Sequence, residues 1–340
     1  MTRPFAVLAA LTACVSYHAP AIEGADGSLA TLRGTPIHFV DEAPEGGVRA
    51  GTVVLVHGFA SSIGVWTGVR RALVDAGHRV IALDLKGFGH SGRPAGDYSP
   101  AEHARIVFAL MDQLGVRSAS LVAHSYGSSV ALRVALEAPD RVRSIALYDA
   151  WVYAEQLPTS FHWARGRGVG EAIFGAFYGE RVEDKVALAF FDPEAIPQAL
   201  IDTTEAQIAR PGTRAAALAT VRAMRYEEQQ AHYGEIEQPV LLIWGREDSV
   251  TPLRYGEELH RTLPESELEV YGRCGHFPMI EASAPSTRRL LRFLANADGD
   301  TDAPVNRAEP ETVAWPPAAP PSAAPDEDAE ALPAEGSPQP

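Results

Sequence analysis

Residues Leu121-Val-Ala-His-Ser125-Tyr-Gly127 carry a short apolar segment into a serine with small residues on either side. The segment before Ser125 is typical of a buried strand, and residues 126–137 after it are typical of a helix. A serine on the sharp turn between such a strand and such a helix is lifted above the edge of the sheet. Ala123 and Gly127 are small enough to let neighbouring backbone approach closely. The stretch therefore predicts a nucleophilic Ser125 at a strand–helix turn.

Around this stretch, short apolar segments alternate with helical patterns through the first half of the chain. We predict strands at 36–41, 52–56, 79–83, 120–123 and 144–148, and helices at 65–76, 101–114 and 126–137. Strands that alternate with helices are typical of an α/β fold, with a mostly parallel sheet flanked by helices on both faces. The continuous apolar run at 52–56 fits a strand buried on both sides.

The alternation stops after residue 149. Helical patterns lie near 167–178, 181–191, 195–209 and 213–230, strand-like sequence resumes at 239–244 and 267–271, and a last helix fits 284–295. An all-helical insertion between two late strands is expected to form a cap over the strand ends, where α/β proteins bind ligands. The predicted division is a core of residues 30–149 plus 236–296 and a helical cap of residues 150–235.

Two residues of the C-terminal part have chemistry that complements Ser125. His276 follows the last predicted strand, and Asp248 follows the strand before it. An imidazole in that position can take the serine proton and return it to a leaving group, while an ionised carboxylate orients the ring and stabilises its charged form. Asp149 and Glu247 also lie just after predicted strands, and both compete with Asp248 for the role of the acid.

The segment His57-Gly58-Phe59 comes directly after the buried strand at 52–56. The backbone N–H groups of Phe59 and Tyr126 are the expected pair that stabilises an oxyanion, one from this early loop and one from the residue after the nucleophile. The residues expected to support these turns, without a chemical role of their own, are His57, Gly58, His124 and Gly127.

Together these motifs resemble the α/β-hydrolase superfamily, and its capped branch in particular. The resemblance rests on His57-Gly-Phe, Asp84-Leu-Lys-Gly-Phe-Gly-His-Ser91, His124-Ser-Tyr-Gly127, Trp244-Gly-Arg-Glu-Asp248 and Cys274-Gly-His276, which occur in the family's order over residues 30–296. Ala123 departs from the family's usual glycine at the first position of the nucleophile turn. The resemblance implies a serine hydrolase with a catalytic triad, in which the Asp84 segment shapes a loop near the site entrance.

A serine at position 125 favours a route through an acyl-enzyme. We predict hydrolysis of a carboxylic ester or related acyl bond of a small, apolar substrate, without a metal or an organic cofactor. One alternative is a carbon–carbon bond hydrolase of ring-fission products, or a perhydrolase, with the same triad. The other is a non-catalytic envelope lipoprotein that uses the fold for binding. Aromatic residues of the cap that are candidates for lining the acyl pocket are Trp151, Phe161, Trp163, Phe174, Phe177 and Tyr178.

The net charge of −15 is distributed unevenly along the chain. Residues 297–340 hold ten acidic residues and one basic residue, and they are rich in proline and alanine. Such a composition is typical of a disordered tail, because it cannot bury enough apolar surface to offset the entropy of ordering. The rest of the chain is only mildly acidic, and a nucleic-acid partner is excluded because binding phosphates requires clustered lysine and arginine.

The first residues place a basic Arg3 before a short apolar run that ends at Cys14. This pattern is typical of a secretory signal, and the run is too short to span a bilayer. Its end resembles the bacterial lipobox, so residues 1–29 are predicted to be a lipoprotein signal and linker, with lipidation at Cys14. The prediction implies an enzyme attached to a membrane and facing an extracytoplasmic space, with a cytoplasmic location as the alternative. The oligomeric state is left open.

Overall fold

Eight strands form one sheet in the computed structural model, which describes residues 27–297. Their order across the sheet is β1-β2-β4-β3-β5-β6-β7-β8. The pairs β1–β2 and β2–β4 are antiparallel, and all other neighbours are parallel. The predicted α/β class with a mostly parallel sheet is therefore confirmed. The strands are β1 Ser28–Leu32, β2 Thr35–Glu42, β3 Thr52–Val56, β4 Arg79–Leu83, β5 Ala119–His124, β6 Val142–Tyr148, β7 Val240–Gly245 and β8 Ser266–Tyr271.

Helices flank the sheet and fill the long connection between β6 and β7. Within residues 27–297, three α-helices precede that connection, six lie within it and three follow it. In chain order they are α1 Thr67–Asp75, α2 Pro100–Gln113, α3 Tyr126–Glu137, α4 Thr159–Ala164, α5 Val169–Phe177, α6 Val182–Ala187, α7 Gln198–Ala209, α8 Thr213–Ala223, α9 Glu227–Gln230, α10 Arg254–Thr262, α11 Pro278–Glu281 and α12 Ser283–Ala297.

The core lies on both faces of the parallel strands. Along β3, Val54 and Val56 face one apolar cluster, while Val53 and Leu55 face the other, as the two-residue period of a strand requires. The first cluster includes buried residues of α2 and α3, and the second includes buried residues of α1 and α12. This double burial explains why the central strands read as continuous apolar runs instead of alternating with polar residues.

Several elements differ from the sequence prediction, among them the short helices α4 and α11, which were not predicted. Strand β1 was not predicted, because its five residues alternate weakly and it lies at the edge of the sheet. Helix α10 was not predicted either. The helix predicted over 213–230 is two helices, α8 and α9, separated at Met224, where the backbone leaves the helical region at ψ 75°. Met224 and Tyr226 are both fully buried at this break, so tertiary packing has overridden local helix propensity.

Asp84, at the end of β4, organises the loop in front of the sheet. Its carboxylate accepts hydrogen bonds from the His38 ring at 2.8 Å, the His90 amide at 2.8 Å and the Ile63 amide at 2.8 Å. Burial alone would raise the pKa of Asp84, but the hydrogen bond and charge of His38, together with the His90 amide, outweigh it and lower the pKa to about 2. The carboxylate therefore stays ionised and fixes the loop beside β3.

Some of the sequence predictions fall outside the described residues. These are lipidation at Cys14, most of the proposed leader and nearly all of the acidic tail, and they stay predictions. Within residues 27–297, no helix has the length and apolar character needed to cross a bilayer.

Gly127 is the glycine on which the fold of the Ser125 turn should depend most. A Cβ atom there would lie 2.5 Å from the carbonyl oxygens of both Val56 and His57. Because these neighbours are backbone atoms, we expect Gly127→Ala to lower the free energy of unfolding by about 3 kcal/mol. The matched control is Gly175→Ala in α5, where a Cβ meets nothing within 4 Å. It should raise stability by about 0.5–1 kcal/mol. Urea denaturation of both variants tests this, and equal stabilities would contradict it.

Candidate active site

Ser125 occupies the turn between β5 and α3 with φ 51° and ψ −123°. A non-glycine residue in this left-handed region costs about 1–3 kcal/mol, and it persists only where the surroundings hold it. Here the Ser125 amide donates to the Tyr148 carbonyl at 3.0 Å, and the Ser125 carbonyl accepts from the Ser128 amide at 2.9 Å. Gly58 packs against the turn, since a Cβ on it would lie 2.9 Å from Ser125 Cβ. The strand–helix turn predicted from the sequence is present.

His276 and Asp248 form a buried hydrogen-bonded pair. His276 Nδ1 lies 2.8 Å from Asp248 Oδ2, and their side chains are 6% and 0% exposed. The amides of Val250 and Thr251 donate to Asp248 Oδ1 at 2.7 and 3.0 Å. The Thr251 hydroxyl donates to Asp248 Oδ2 at 2.6 Å. Each carboxylate oxygen is therefore held in place, and Nδ1 of His276 carries the proton that the carboxylate accepts.

The environment keeps Asp248 ionised. Burial acts to raise its pKa, but the charge and hydrogen bond of His276, together with the hydroxyl and amide of Thr251, outweigh burial and lower the pKa below its usual value of 3.8. Thr251 was not singled out from the sequence. Its position three residues after an acid at a strand end is the signal that could have found it, since such residues often close a turn with their own hydrogen bonds.

The two rival acids take different positions. Glu247 turns away from the imidazole, and its Oε2 accepts from the Cys274 amide at 3.0 Å. Asp149 lies beside Asp248, where its Oδ1 accepts from the Gly245 amide at 2.9 Å. Burial, and then the negative charge of Asp248, raises the pKa of Asp149 well above its usual value. The ring of His276 pairs with Asp248, and Asp149 lies next to that pair.

Phe59 and Tyr126 are the two residues predicted to supply oxyanion donors. Tyr126 begins α3 directly after Ser125, and Phe59 lines the same cavity as Ser125. The Tyr126 side chain is fully buried, and its hydroxyl lies 2.8 Å from His103 Nδ1 and 3.1 Å from the Tyr98 carbonyl oxygen. Burial lowers the pKa of His103 to about 3, so its ring is neutral. These buried contacts fix Tyr126, the residue that directly follows the nucleophile.

His57 and His124 support the surrounding turns. The His57 ring accepts from the Leu85 amide through Nε2 at 2.9 Å, and its Nδ1–H donates to the Gly58 carbonyl at 2.7 Å. His124 donates from Nε2 to the carbonyl of His276 at 2.8 Å, and the two rings lie 4.7 Å apart. Burial lowers the pKa of both His57 and His124, so both rings are neutral and act through hydrogen bonding and packing.

Ser125 and His276 share one cavity of about 540 Å³. Within the described residues, the structure forms no hydrogen bond between the serine hydroxyl and the imidazole, which is common for such pairs before substrate binds. Among the described residues that line the cavity, Lys185 is the only lysine, arginine, aspartate or glutamate. Most of the wall is apolar, with Phe59, Trp151, Phe161, Ile173, Phe174, Phe177, Tyr178, Val182, Val186, Ala189, Leu200, Ile208, Val250 and Phe277.

The helical region between β6 and β7 supplies most of that wall and is joined to the histidine loop. The His276 amide donates to the Ala189 carbonyl at 2.7 Å. A Cβ on Gly275 would lie 2.5 Å from the same carbonyl oxygen, so only glycine lets the two segments come this close. Of the six aromatic residues predicted to line the pocket, five do so. Trp163 does not, and it is 63% exposed.

In the part of the chain that the structure describes, two groups of residues each offer three potential metal ligands within 4.8 Å of one another. In each group a 2.8 Å hydrogen bond joins a histidine Nδ1 to an aspartate oxygen. These atoms are already paired within the protein, so both groups fit hydrogen-bonded His–Asp pairs better than cation sites. The groups are His38, Asp84 and His90, and Asp149, Asp248 and His276.

The pairing of His276 with Asp248 can be tested without any substrate. A histidine Nδ1 proton that donates to a buried carboxylate gives a strongly downfield proton resonance. We expect this resonance in the wild type and in the control Glu247→Gln, and its loss in Asp248→Asn, because the amide no longer offers a charged acceptor. A resonance that persists in Asp248→Asn but disappears in Glu247→Gln would show that the pairing is wrong.

Comparison with known proteins gives the same fold. A model of the α/β hydrolase fold matches residues 51–283. A 2-hydroxy-6-oxononadienedioate/2-hydroxy-6-oxononatrienedioate hydrolase of Comamonas testosteroni is 30% identical over 255 residues, which cover 72% of this chain and 87% of that protein.

Two solved structures are similar to this one. A meta-cleavage product hydrolase from Pseudomonas fluorescens IP01 has a TM-score of 0.67 at 23% identity, and the match covers 80% of this chain and 98% of the other. A thermophilic esterase from Thermogutta terrifontis has a TM-score of 0.67 at 24% identity, with the same coverage of 80% and 98%. The fold, the turn at Ser125 and the match over most of the chain agree, and the protein belongs to the α/β hydrolase fold family.

Proposed function

We propose that this protein is a serine hydrolase that cleaves carboxylic esters with apolar acyl groups through an acyl-enzyme. The observation that carries the proposal is that Ser125 and His276 line the same apolar cavity, while the ring of His276 is hydrogen-bonded to Asp248. A nucleophile, a base and a carboxylate that orients the base are the three parts that this chemistry needs. All three side chains are buried, which strengthens the electrostatic interactions among them.

In the proposed mechanism, Ser125 Oγ attacks the ester carbonyl while Nε2 of His276 takes the hydroxyl proton. Asp248 holds the Nδ1–H and stabilises the imidazolium. The backbone N–H groups of Phe59 and Tyr126 stabilise the negative oxygen of the tetrahedral intermediate. His276 then gives its proton to the departing alcohol, which leaves the acyl group on Ser125. Water, deprotonated by the same ring, attacks the acyl-enzyme, and the acid is released as Oγ regains its proton.

The cavity supports a neutral, apolar acyl group as the substrate. Its wall is mainly aromatic and aliphatic, and a carboxylate buried there without a cation would be strongly disfavoured. The amine of Lys185 already donates to the carbonyls of Phe177 and Tyr178 at the end of α5. Burial lowers the pKa of Lys185, which further weakens it as an anchor for a substrate anion.

A second candidate is hydrolysis of a carbon–carbon bond in a ring-fission product. The relatives favour it over ester hydrolysis, because the Comamonas testosteroni protein that is 30% identical bears the name of such an enzyme. The same nucleophile, base and acid would serve that reaction. A dienedioate substrate carries carboxylates, however, and Lys185 is the charged side chain that the described cavity offers to them. The two candidates therefore differ in what Lys185 does.

A fluorophosphonate probe tests whether Ser125 is an activated nucleophile. We expect stoichiometric labelling of the wild type and none of Ser125→Ala, because only a serine activated by a base reacts with the probe. Ser61→Ala is the matched control, since Ser61 also lines the cavity and should leave labelling unchanged. Failure to label the wild type, or equal labelling of Ser125→Ala, would overturn the enzyme proposal and leave the non-catalytic alternative.

Two substrate sets, measured on the wild type and on Lys185→Met, decide between the candidates. We expect p-nitrophenyl esters to be hydrolysed, with kcat/KM rising as the acyl chain grows from two to about eight carbons, because each buried methylene adds about 0.8 kcal/mol. Lys185→Met should leave these rates unchanged. Turnover of a 2-hydroxy-6-oxo dienoate without ester turnover, with KM raised in Lys185→Met, would replace ester hydrolysis by carbon–carbon hydrolysis.

A further inference from the structure

Asp149 is a buried carboxyl that the proposed mechanism does not use. It follows β6 with φ 43° and is 0% exposed. Its Oδ1 accepts from the Gly245 amide at 2.9 Å, and its amide donates to the Ile243 carbonyl at 2.9 Å. Within the described residues its other oxygen, Oδ2, is buried and accepts no hydrogen bond. An ionised carboxylate with one oxygen left without a donor in the interior is strongly disfavoured.

Asp149 also lies at the triad itself. One oxygen of Asp149, one oxygen of Asp248 and a ring nitrogen of His276 all lie within 4.8 Å of one another. Thr251 joins the two acids, since its hydroxyl donates to Asp248 Oδ2 at 2.6 Å and lies 3.1 Å from the Asp149 carbonyl oxygen. Two carboxyl groups at such a distance cannot both be ionised at low cost, because like charges in a dry site repel strongly.

We propose that Asp149 is the protonated partner of Asp248, and that the two acids share one proton and present a single negative charge to His276. The proton lies on Oδ2 of Asp149 and is donated to the Asp248 carboxylate. This gives the oxygen without a partner a role as a donor. Asp149 is thus a positioning residue, which acts on His276 through Asp248. The inference rests on the proposed function, because it concerns the same triad.

The charges around Asp149 favour the neutral form. Burial and the negative charge of Asp248 raise its pKa, as does the more distant Glu281, while the Gly245 amide acts in the opposite direction. Asp248, held ionised by His276 and Thr251, has its pKa lowered. The opposite directions of the two shifts place the proton on Asp149. The nearby Cys274 is a neutral thiol, since burial raises its pKa.

Shared protonation has a consequence for catalysis. A donor to Asp248 draws negative charge from the carboxylate, so Asp248 stabilises the imidazolium of His276 less than an unassisted carboxylate would. The acidic limb of the pH profile of kcat/KM reports the general base of the free enzyme. Asp149 should therefore influence the pH at which this limb lies.

Infrared difference spectroscopy tests the proton directly and needs no turnover. The full-length wild type at pH 7 should show the carbonyl stretch of a protonated carboxylic acid, and this band should be missing from Asp149→Asn. Persistence of the band in Asp149→Asn, or its absence from the wild type at pH 7, would overturn the proposal even if the protein is an active hydrolase. If the band behaves as expected but no substrate is turned over, the proposed function fails while the shared proton stands.

Two variants separate the proposed role from a packing role. Asp149→Asn keeps a donor towards Asp248 and an acceptor for the Gly245 amide, so the acidic limb should not move. Asp149→Leu removes the donor, so the limb should move to higher pH and kcat should fall about tenfold, the loss expected for one hydrogen bond to a charged group. A limb that moves to lower pH in both variants would mean that Asp149 is ionised in the wild type.

Stability against pH gives a readout that does not depend on Asp149→Leu folding. A group whose pKa is raised on folding contributes stability that is lost as pH rises above its unfolded value, near 4. The wild type should therefore lose stability relative to Asp149→Asn between pH 5 and pH 8 in urea titrations. A difference that stays constant over this range would contradict a protonated Asp149.

Discussion

Three backbone segments meet at the turn of Ser125, and two glycines make that meeting possible. A Cβ on Gly127 would collide with the carbonyl oxygens at the end of β3, and one on Gly58 would collide with the Ser125 side chain. The turn holds a serine at positive φ, an arrangement that costs about 1–3 kcal/mol and needs firm surroundings. The strands around it are parallel, so their carboxyl ends lie at one edge. Ser125, Asp149, Asp248 and His276 follow β5, β6, β7 and β8 in turn.

The helical region between β6 and β7 is tied to this edge at the histidine loop. Gly275 lets the Ala189 carbonyl approach, and the His276 amide donates to that oxygen. The position of the imidazole is thus coupled to the segment that carries part of the cavity wall. A displacement of residues 189–191 would move the backbone of His276 as well, so closure of the cavity and alignment of the base depend on the same contact.

Much of this arrangement could be read from the sequence because it is set by local patterns. The apolar run at β3 and the strand–serine–helix pattern at Ser125 both follow from the side-chain periodicity of strands and helices, which can be recognised in neighbouring residues. Thr251 lies only three residues after Asp248 and could have been found from this local spacing, whereas His103 and the state of Asp149 could not, since each depends on residues far apart in the chain. The exposure of Trp163, 63%, was missed for the same reason. Aromatic composition shows that a cap has apolar residues, but packing decides which of them reach the cavity.

Membership of the family does not identify the substrate, because the residues that perform the chemistry and those that line the cavity come from different parts of the chain. The reactive side chains stand at strand ends, whereas most of the apolar wall lies between residues 151 and 208. An ester with an apolar acyl group can bind against that wall without removing a charged group from water. A dienedioate brings two carboxylates, and burying a carboxylate without a partner costs several kcal/mol. Lys185 already donates to the carbonyls of Phe177 and Tyr178, so two of its three donors are used, and one N–H is left for the two carboxylates of a dienedioate.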